Sequence, residues 1–99
     1  MSDAFGLGPD APITTNVAGG KQSAVPYRCD LLPPAALLSV ARVLAAGDAK
    51  YGPDNWRRID RADHLNHALS HVLAFLAGDA SDDHLTHATC RLLFALETK

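Results

Sequence analysis

Glutamate is almost absent from this chain of 99 residues, because Glu97 is the only one that it contains. A helix bundle that binds two Mg²⁺ ions through many carboxylates is therefore hard to build, since Mg²⁺ prefers oxygen ligands in near-octahedral sites. The hard ligands available near the histidines are Asp63, Asp79, Asp82 and Asp83. A metal site in this chain would have to combine these carboxylates with histidine nitrogen atoms.

Other features that the sequence lacks exclude further classes of protein. Cys29 and Cys90 have neither the spacing of a zinc site nor the density of a disulfide scaffold, so we expect reduced thiols and a cytoplasmic protein. A formal charge of −2 argues against a nucleic-acid partner. Because no apolar run approaches the roughly 18 residues of a membrane span, and no signal peptide begins the chain, we expect no membrane partner.

The length and composition predict one small domain with a thin core, since 47% of the residues are hydrophobic. Residues 1–26 contain glycines and prolines without a sustained period, which is typical of an extended or flexible arm. Residues 27–99 carry helical periodicity and should form a single all-α domain. The expected fold is therefore all-α, a small bundle of three main helices with an extended N-terminal arm. Three helices bury little area alone, so we also expect a homo-oligomer.

One stretch of the arm, Gly19-Gly20-Lys21-Gln22-Ser23, has two interpretations. Its composition is that of a flexible linker. Its glycines, cation and hydroxyl could also present backbone N–H groups to a phosphate, although the spacing is not that of a Walker motif.

The first helix should begin near Pro33 or Pro34, because proline is well tolerated in a first helical turn. Its apolar positions carry it to about Ala46, and Gly47 should end it. Turn residues follow, and residues 56–59 should form a short helical turn.

Aromatic and basic residues cluster in this connection. Trp56 would most simply fill the core or a subunit interface, but Trp56 or Tyr51 could instead stack on a nucleobase. Lys50, Arg57 and Arg58 would ordinarily be solvated charges, yet beside two aromatic rings they could also bind phosphates.

The C-terminal part of the chain repeats itself. Asp63-His64-Leu65-Asn66-His67-Ala68 returns 20 residues later as Asp83-His84-Leu85-Thr86-His87-Ala88. Both copies predict helices, because at about 100° per residue their apolar residues fall on one side. These residues are Leu65, Ala68, Leu69, Val72, Phe75 and Leu76 in the first copy, and Leu85, Ala88, Leu92, Ala95 and Leu96 in the second. The repeated histidines should line one edge of each apolar stripe.

The short connection between the copies predicts an antiparallel helix pair, in which Gly78 ends one helix and Ser81, Asp82 or Asp83 caps the next. His64 and His84 should lie nearer opposite ends of this pair. The side chains expected to lie level form one candidate cluster: His71 with His87, and His67 with Arg91, with Asp83 at its margin.

The histidine spacing has two interpretations. His67 and His71 are four residues apart, the spacing by which one helix presents two imidazoles to one metal ion. The same histidines could instead form a buried lattice of hydrogen bonds with carboxylates. If they bind metal, imidazole nitrogen suits Zn²⁺, Mn²⁺, Ni²⁺ or Fe²⁺ better than Mg²⁺.

The order of several phrases from residue 19 to residue 97 resembles the small phage-type dATP/dGTP diphosphohydrolase N-terminal domain family. The phrases are GGKQS at 19–23, PYRCDLLPP at 26–34, AKYGPDNWR at 49–57, DHLNHALSH at 63–71 and DHLTHATCRLLFALE at 83–97. The resemblance implies a compact all-α protein of phage or prophage origin that binds purine deoxynucleoside triphosphates. It also implies a reaction like that of all-α nucleotide pyrophosphatases, which split a dNTP to a dNMP and pyrophosphate with a divalent metal.

The expected ligands are therefore a purine nucleotide and a divalent metal ion (Mn, Mg, Zn or Co). The expected catalytic residues are Asp63, His67, Asp83 and His87, and the expected metal ligands are His67, His71, Asp83 and His87. The expected substrate-binding residues are Lys21, Arg28, Lys50, Tyr51, Trp56, Arg57 and Arg91. Two alternatives stay open: a non-catalytic phage protein that sequesters a nucleotide or a nucleotide-derived defence signal, and a helical interaction module whose histidines are structural.

Overall fold

The computed structural model describes residues 4–98, so the first three residues of the expected arm and Lys99 lie outside the described part of the chain. The chain divides into two units, of which the first ends at Leu32 and the second begins at Pro33. Three helices make up most of the second unit, and a small two-stranded sheet lies in the first. The all-α class predicted from the sequence is therefore confirmed.

The arm contains a β-hairpin that the sequence did not indicate. Strand β1 (Ile13–Thr15) pairs antiparallel with strand β2 (Lys21–Ser23), with Ile13 opposite Ser23. The β-branched residues of β1 favour the extended conformation, although both strands are exposed.

Asn16 closes the loop between the two strands. Its side-chain oxygen accepts hydrogen bonds from the backbone N–H groups of Ala18 and Gly20, at 3.0 and 2.9 Å. The N–H of Gly19 donates to the carbonyl oxygen of Asn16 at 3.0 Å. These N–H groups are thus bonded within the hairpin, so the loop does not present them to a phosphate.

The three helices are α1 (Pro34–Tyr51), α2 (Arg61–Leu76) and α3 (His84–Glu97). Short 3₁₀ turns at Cys29–Leu31 and Asn55–Arg58 precede α1 and α2, so the helical turn predicted near residue 56 is confirmed. Both cysteines are free thiols, as predicted. None of the helices described between residues 4 and 98 is both long enough and apolar enough to span a membrane.

Helix α1 begins with proline in its first turn, as predicted, but it runs further than predicted. Glycine in a helix interior costs about 1 kcal/mol relative to alanine, which is why the sequence predicts an end at Gly47. The helix instead continues to Tyr51 and stops at Gly52, whose φ of 86° lies in the left-handed region that glycine adopts without strain. The end predicted near Ala46 is therefore wrong by five residues.

The connection between α2 and α3 has the predicted turn chemistry. Gly78 follows α2 with a φ of 88°, and Asp83 is the N-cap of α3. The Asp83 carboxylate accepts from the hydroxyl and the backbone N–H of Thr86, at 2.6 and 3.3 Å. These hydrogen bonds hold the pKa of Asp83 below its usual value, so the cap stays charged at neutral pH.

Small side chains and imidazoles, not leucines, fill the core of the second unit. Helix α3 packs against both α1 and α2. The buried residues are Val40 in α1, His64 and Ala68 in α2, and His84, Ala88, Cys90 and Ala95 in α3. The alanines let the backbones of α2 and α3 approach closely and leave room for the imidazoles between them. The edge position predicted for His64 and His84 is therefore wrong, because both lie inside the helix pair.

All six leucines predicted to face the interior face outward, and so does Leu73, which the predicted stripe did not include. Leu65, Leu69, Leu73 and Leu76 of α2 and Leu85, Leu92 and Leu96 of α3 are between 45% and 80% exposed. Leu65 lines one shallow groove together with Leu92 and Leu96, so leucines of the two helices meet on one side of the pair. We call these seven residues the leucine face.

The observed pairing between α2 and α3 differs from the predicted register by about one turn. His71 contacts His84, and His64 contacts Arg91. Between these two contacts α2 runs back by seven residues and α3 runs forward by seven residues, which is about two helical turns in each helix. Arg91 therefore meets His64, three residues before the predicted neighbour His67.

We expect a second copy of the chain to cover the leucine face, because leucine rows on two antiparallel helices present a surface that is complementary to itself. The substitution Leu69→Lys should convert the assembly to a monomer of 10.5 kDa in light scattering. Ser70→Lys changes the next residue, which is also exposed, and should leave the assembly intact. A monomeric unsubstituted chain would show that no second copy binds this face.

Candidate functional site

Three histidines and two aspartates converge where the end of α2 meets the start of α3. Nε2 of His84 donates to Asp79 Oδ2 at 2.5 Å, and Nδ1 of His84 lies 2.9 Å from Nδ1 of His71. The His87 ring stacks on His71 with centroids 5.2 Å apart, and His87 Nε2 is 3.4 Å from Asp82 Oδ1. The predicted proximity of His71 and His87 is confirmed, and His84 joins them. We call these five residues the histidine cluster.

The surroundings of the cluster favour a neutral imidazole at His71. Burial lowers the pKa of His71, and the neighbouring His87 and His84 rings lower it further. Asp79 stays charged, because hydrogen bonds from Ser81 and His84 lower its pKa. A neutral imidazole keeps one lone pair that can accept a proton or bind a metal ion.

Part of the cluster forms a group that could hold a metal ion. One ligand atom each from His71, Asp82 and His84 lies within 4.8 Å of the others. Two imidazole nitrogens and one carboxylate oxygen fit Zn²⁺, Mn²⁺ or Co²⁺ better than Mg²⁺. Of the predicted metal ligands only His71 belongs to this group, and the carboxylate of Asp83 is engaged in the cap of α3 instead.

The opposite end of the helix pair is organised around His64, which has no exposed surface. Its Nε2 donates to the carbonyl oxygen of Trp56 at 3.0 Å, and its Nδ1 accepts from Nη1 of Arg91 at 3.2 Å. The ring also packs against Phe94, with centroids 5.3 Å apart. Because Nδ1 accepts, the imidazole is neutral and its tautomer is fixed. His64 therefore holds the guanidinium of Arg91 and the backbone of Trp56 in place together.

The sequence repeat accounts for both ends. His64, the first histidine of one copy, contacts Arg91, which lies seven residues after the first histidine of the other copy. In the same way His84 contacts His71, which lies seven residues after His64. The two copies are thus related by an approximate two-fold axis, with one exchange of residue type at the contacted position. An arginine at this position offers positive charge to an anion, whereas a histidine offers a lone pair to a cation.

A cleft of about 780 Å³ lies between the second half of α1, the Asn55–Arg58 turn and α3. Small-molecule sites in proteins commonly have volumes of about 300–1,000 Å³. The charged side chains that line it are those of Arg42, Asp48, Lys50, Asp54 and Arg91. His87 lines the same cleft and so connects it to the histidine cluster.

Aromatic rings form one wall of the cleft. Trp56 stacks on Phe94 with centroids 4.5 Å apart and an interplanar angle of 7°, and the Arg57 guanidinium lies 4.2 Å from the Trp56 ring centroid. Trp56 is thus engaged with two protein groups, the Phe94 ring and the Arg57 guanidinium. Tyr51 is 58% exposed, with Lys50 Nζ 4.9 Å from its centroid, and offers the more accessible ring.

The predicted substrate-binding residues lie in two places. Lys50, Tyr51, Trp56 and Arg91 line the cleft, and Arg57 covers Trp56. Lys21 and Arg28 belong to the first unit, where Lys21 Nζ donates to Thr15 Oγ1 at 3.2 Å and Arg28 pairs with Asp30 at 2.9 Å. Contact of Lys21 and Arg28 with substrate stays a prediction.

The predicted catalytic residues are also divided. His87 lines the cleft, whereas Asp83 caps α3. Asp63 and His67 are exposed on α2, and their catalytic roles stay predictions.

Sequence reasoning missed the part played by His64, His84, Asp79 and Asp82. A usable signal was present in the repeat, because its two copies differ in type at the residue seven places after the first histidine. Pairing the first histidine of one copy with that residue of the other would have given the observed register. The predicted register instead followed from the expectation that the short connection between the two copies places the end of one copy near the middle of the other.

Residues 16–99 match the family described as dATP/dGTP diphosphohydrolase, N-terminal. The chain belongs to this family. The matched range contains all of the cleft and the histidine cluster. No curated protein and no solved structure matches the chain. The family description names dATP and dGTP, so the lining of the cleft can be compared with what a purine nucleotide would require.

Replacing His64 should test whether it stabilises the fold around the cleft in this member of the dATP/dGTP diphosphohydrolase N-terminal domain family. His64→Ala leaves the Trp56 carbonyl and the Arg91 guanidinium without their buried partner, which should lower the free energy of unfolding by roughly 1–3 kcal/mol. His67→Ala, on the exposed side of the same helix, should change it by less than about 0.5 kcal/mol. Urea unfolding followed by circular dichroism measures both values, and equal effects would contradict the role given to His64.

Proposed function

We propose that the cleft binds a purine deoxynucleoside triphosphate and that the chain hydrolyses it to the monophosphate and pyrophosphate. One observation carries the proposal: a cleft lined by cations and an accessible tyrosine opens beside the histidine cluster in a member of this family. Family membership supports the substrate class. The arrangement of Arg91, His64 and Tyr51 supports the place where that substrate would bind.

The phosphates would lie against the cations of the cleft. Arg42, Lys50 and Arg91 can donate charge-assisted hydrogen bonds to phosphate oxygens. Arg91 is already held by His64 at 3.2 Å, so less conformational freedom is lost when it binds an anion. The purine would then stack on Tyr51, which is 58% exposed, because Trp56 already packs against Phe94 and Arg57.

Hydrolysis requires water to attack the α-phosphorus while the bond to the bridging oxygen of the β-phosphate breaks and pyrophosphate leaves. His87 is the candidate general base, because it lines the cleft and Asp82 lies 3.4 Å from its Nε2, where a carboxylate would stabilise the imidazolium. Arg91 and Lys50 would stabilise the negative charge of the transition state. A divalent metal ion, for which His71, Asp82 and His84 are the candidate ligands, would add charge neutralisation.

A second candidate function, sequestration of the nucleotide without turnover, is favoured by the shortage of carboxylates. Glu97 is the only glutamate, and the carboxylate of Asp83 is engaged in the cap of α3. The same cleft would bind the ligand through its cations and Tyr51, and no group would need to activate water.

Incubation of the pure chain with dGTP or dATP and Mg²⁺, Mn²⁺ or Co²⁺ should release pyrophosphate, which ³¹P NMR detects directly. Calorimetry that shows binding, with the nucleotide recovered intact in every metal, would support sequestration and reject hydrolysis. If neither nucleotide binds nor turns over, the cleft is not a site for this substrate class.

Arg91→Gln should weaken nucleotide binding at least about tenfold, since a hydrogen bond to a charged group contributes roughly 1.5–3 kcal/mol. Glutamine keeps an N–H donor for Nδ1 of His64, so the fold should be retained. Arg58→Gln provides the matched control, because Arg58 is exposed, bonds to Asn55 and does not line the cleft. Similar affinities for the two variants in calorimetry would remove Arg91 from the binding site.

A further inference from the structure

Two imidazole nitrogens face each other inside the helix pair. Nδ1 of His71 and Nδ1 of His84 are 2.9 Å apart, and only 9% of the His84 side chain is exposed. The two rings can share one N–H proton in a neutral hydrogen bond, or, with both nitrogens deprotonated, they can bind one cation together.

Asp79 decides which nitrogen of His84 is free. Its carboxylate accepts the Nε2 proton of His84 at 2.5 Å, which directs the Nδ1 lone pair of His84 toward His71. In metalloproteins a ligating imidazole commonly donates its other N–H to a carboxylate, which fixes the tautomer and raises the basicity of the ligand. Asp79 and His84 already have this arrangement in the structure, so neither side chain has to move for His84 to bind a metal ion.

The distances also suit an ion of the zinc class. Metal–nitrogen bonds are about 2.0–2.1 Å long, so two nitrogens on one ion with a bond angle of about 90–110° are separated by about 2.8–3.4 Å. Asp82 supplies a third ligand, because a carboxylate oxygen of its half-exposed side chain lies within 4.8 Å of a ring nitrogen of each histidine. Three protein ligands would leave further coordination positions for water or another molecule.

We propose that His71, His84 and Asp82 bind one divalent transition-metal ion of the Zn²⁺ or Co²⁺ class, with Asp79 as the outer partner that orients His84. The site selects against Mg²⁺, because imidazole nitrogen is a poor ligand for that ion. It joins the end of α2, the following loop and the start of α3, so the bound ion stabilises the fold. The site does not depend on nucleotide binding, which concerns the cleft.

A titration with Co²⁺ tests the proposal, because the ion gives visible absorption bands when histidine and carboxylate bind it. The chain is prepared metal-free, without an affinity tag, and with Cys29→Ser, since this exposed free thiol could bind the probe. One equivalent of Co²⁺ should give these bands, Zn²⁺ should displace it, and Zn²⁺ but not Mg²⁺ should raise the midpoint of thermal unfolding.

Variants then locate the site. His71→Ala should abolish the bands, and Asp79→Asn should weaken binding about 10–100-fold, as for loss of other outer carboxylates. His67→Ala removes an exposed histidine from the same helix and should change neither the bands nor the affinity. Absence of the bands in the unsubstituted site, or their loss in His67→Ala with retention in His71→Ala, would overturn the assignment. Calorimetry with dGTP in the absence of metal reports separately on the cleft.

Discussion

Two buried imidazoles between α2 and α3 determine how the helix pair is arranged. A polar group withdrawn from water is destabilising unless it finds hydrogen-bond partners, so both nitrogens of each ring must be paired. His64 finds Trp56 and Arg91, and His84 finds Asp79 and His71. A slip of the helices by one turn would separate both histidines from their partners on the other helix. Polar pairing therefore fixes the register, which alanine contacts alone would leave loosely specified.

The two ends of the helix pair have the same arrangement of contacts, but Arg91 at one end is replaced by His71 at the other. This difference gives the two ends different chemistry. Where His64 meets Arg91, the buried imidazole accepts a hydrogen bond and aims a permanent cation at the cleft. Where His84 meets His71, neither ring carries a permanent charge, and the two Nδ1 atoms lie 2.9 Å apart. His87 lies between these environments, since it lines the cleft and stacks on His71. One repeated helical pattern thus places an arginine at one end of the pair and two facing imidazoles at the other.

The sequence predicts the elements of this fold better than the faces by which they pack. Helix ends depend on the backbone preferences and hydrogen bonds of neighbouring residues, which can be predicted from sequence. Proline at the start of α1, Gly78 after α2 and Asp83 before α3 act in this way. The choice of the buried face is not local, because it depends on how closely two backbones approach. Alanine and histidine fill the narrow space here, and the larger leucines are left outside. The register also depends on contacts between the helices, and the observed register brings His84, not His67, into the candidate site.

Scarcity of glutamate has a consequence for how a triphosphate could be neutralised. A cage of carboxylates binds phosphates only through metal ions, because the carboxylates themselves repel an anionic ligand. In the cleft, Arg42, Lys50 and Arg91 outnumber the two aspartates, so direct contact with phosphate needs no intervening ion. Under the proposed function, affinity for the nucleotide would depend on the arginine end and metal chemistry on the histidine end. The side chain that would connect them is His87, because it is the one member of the histidine cluster that also lines the cleft.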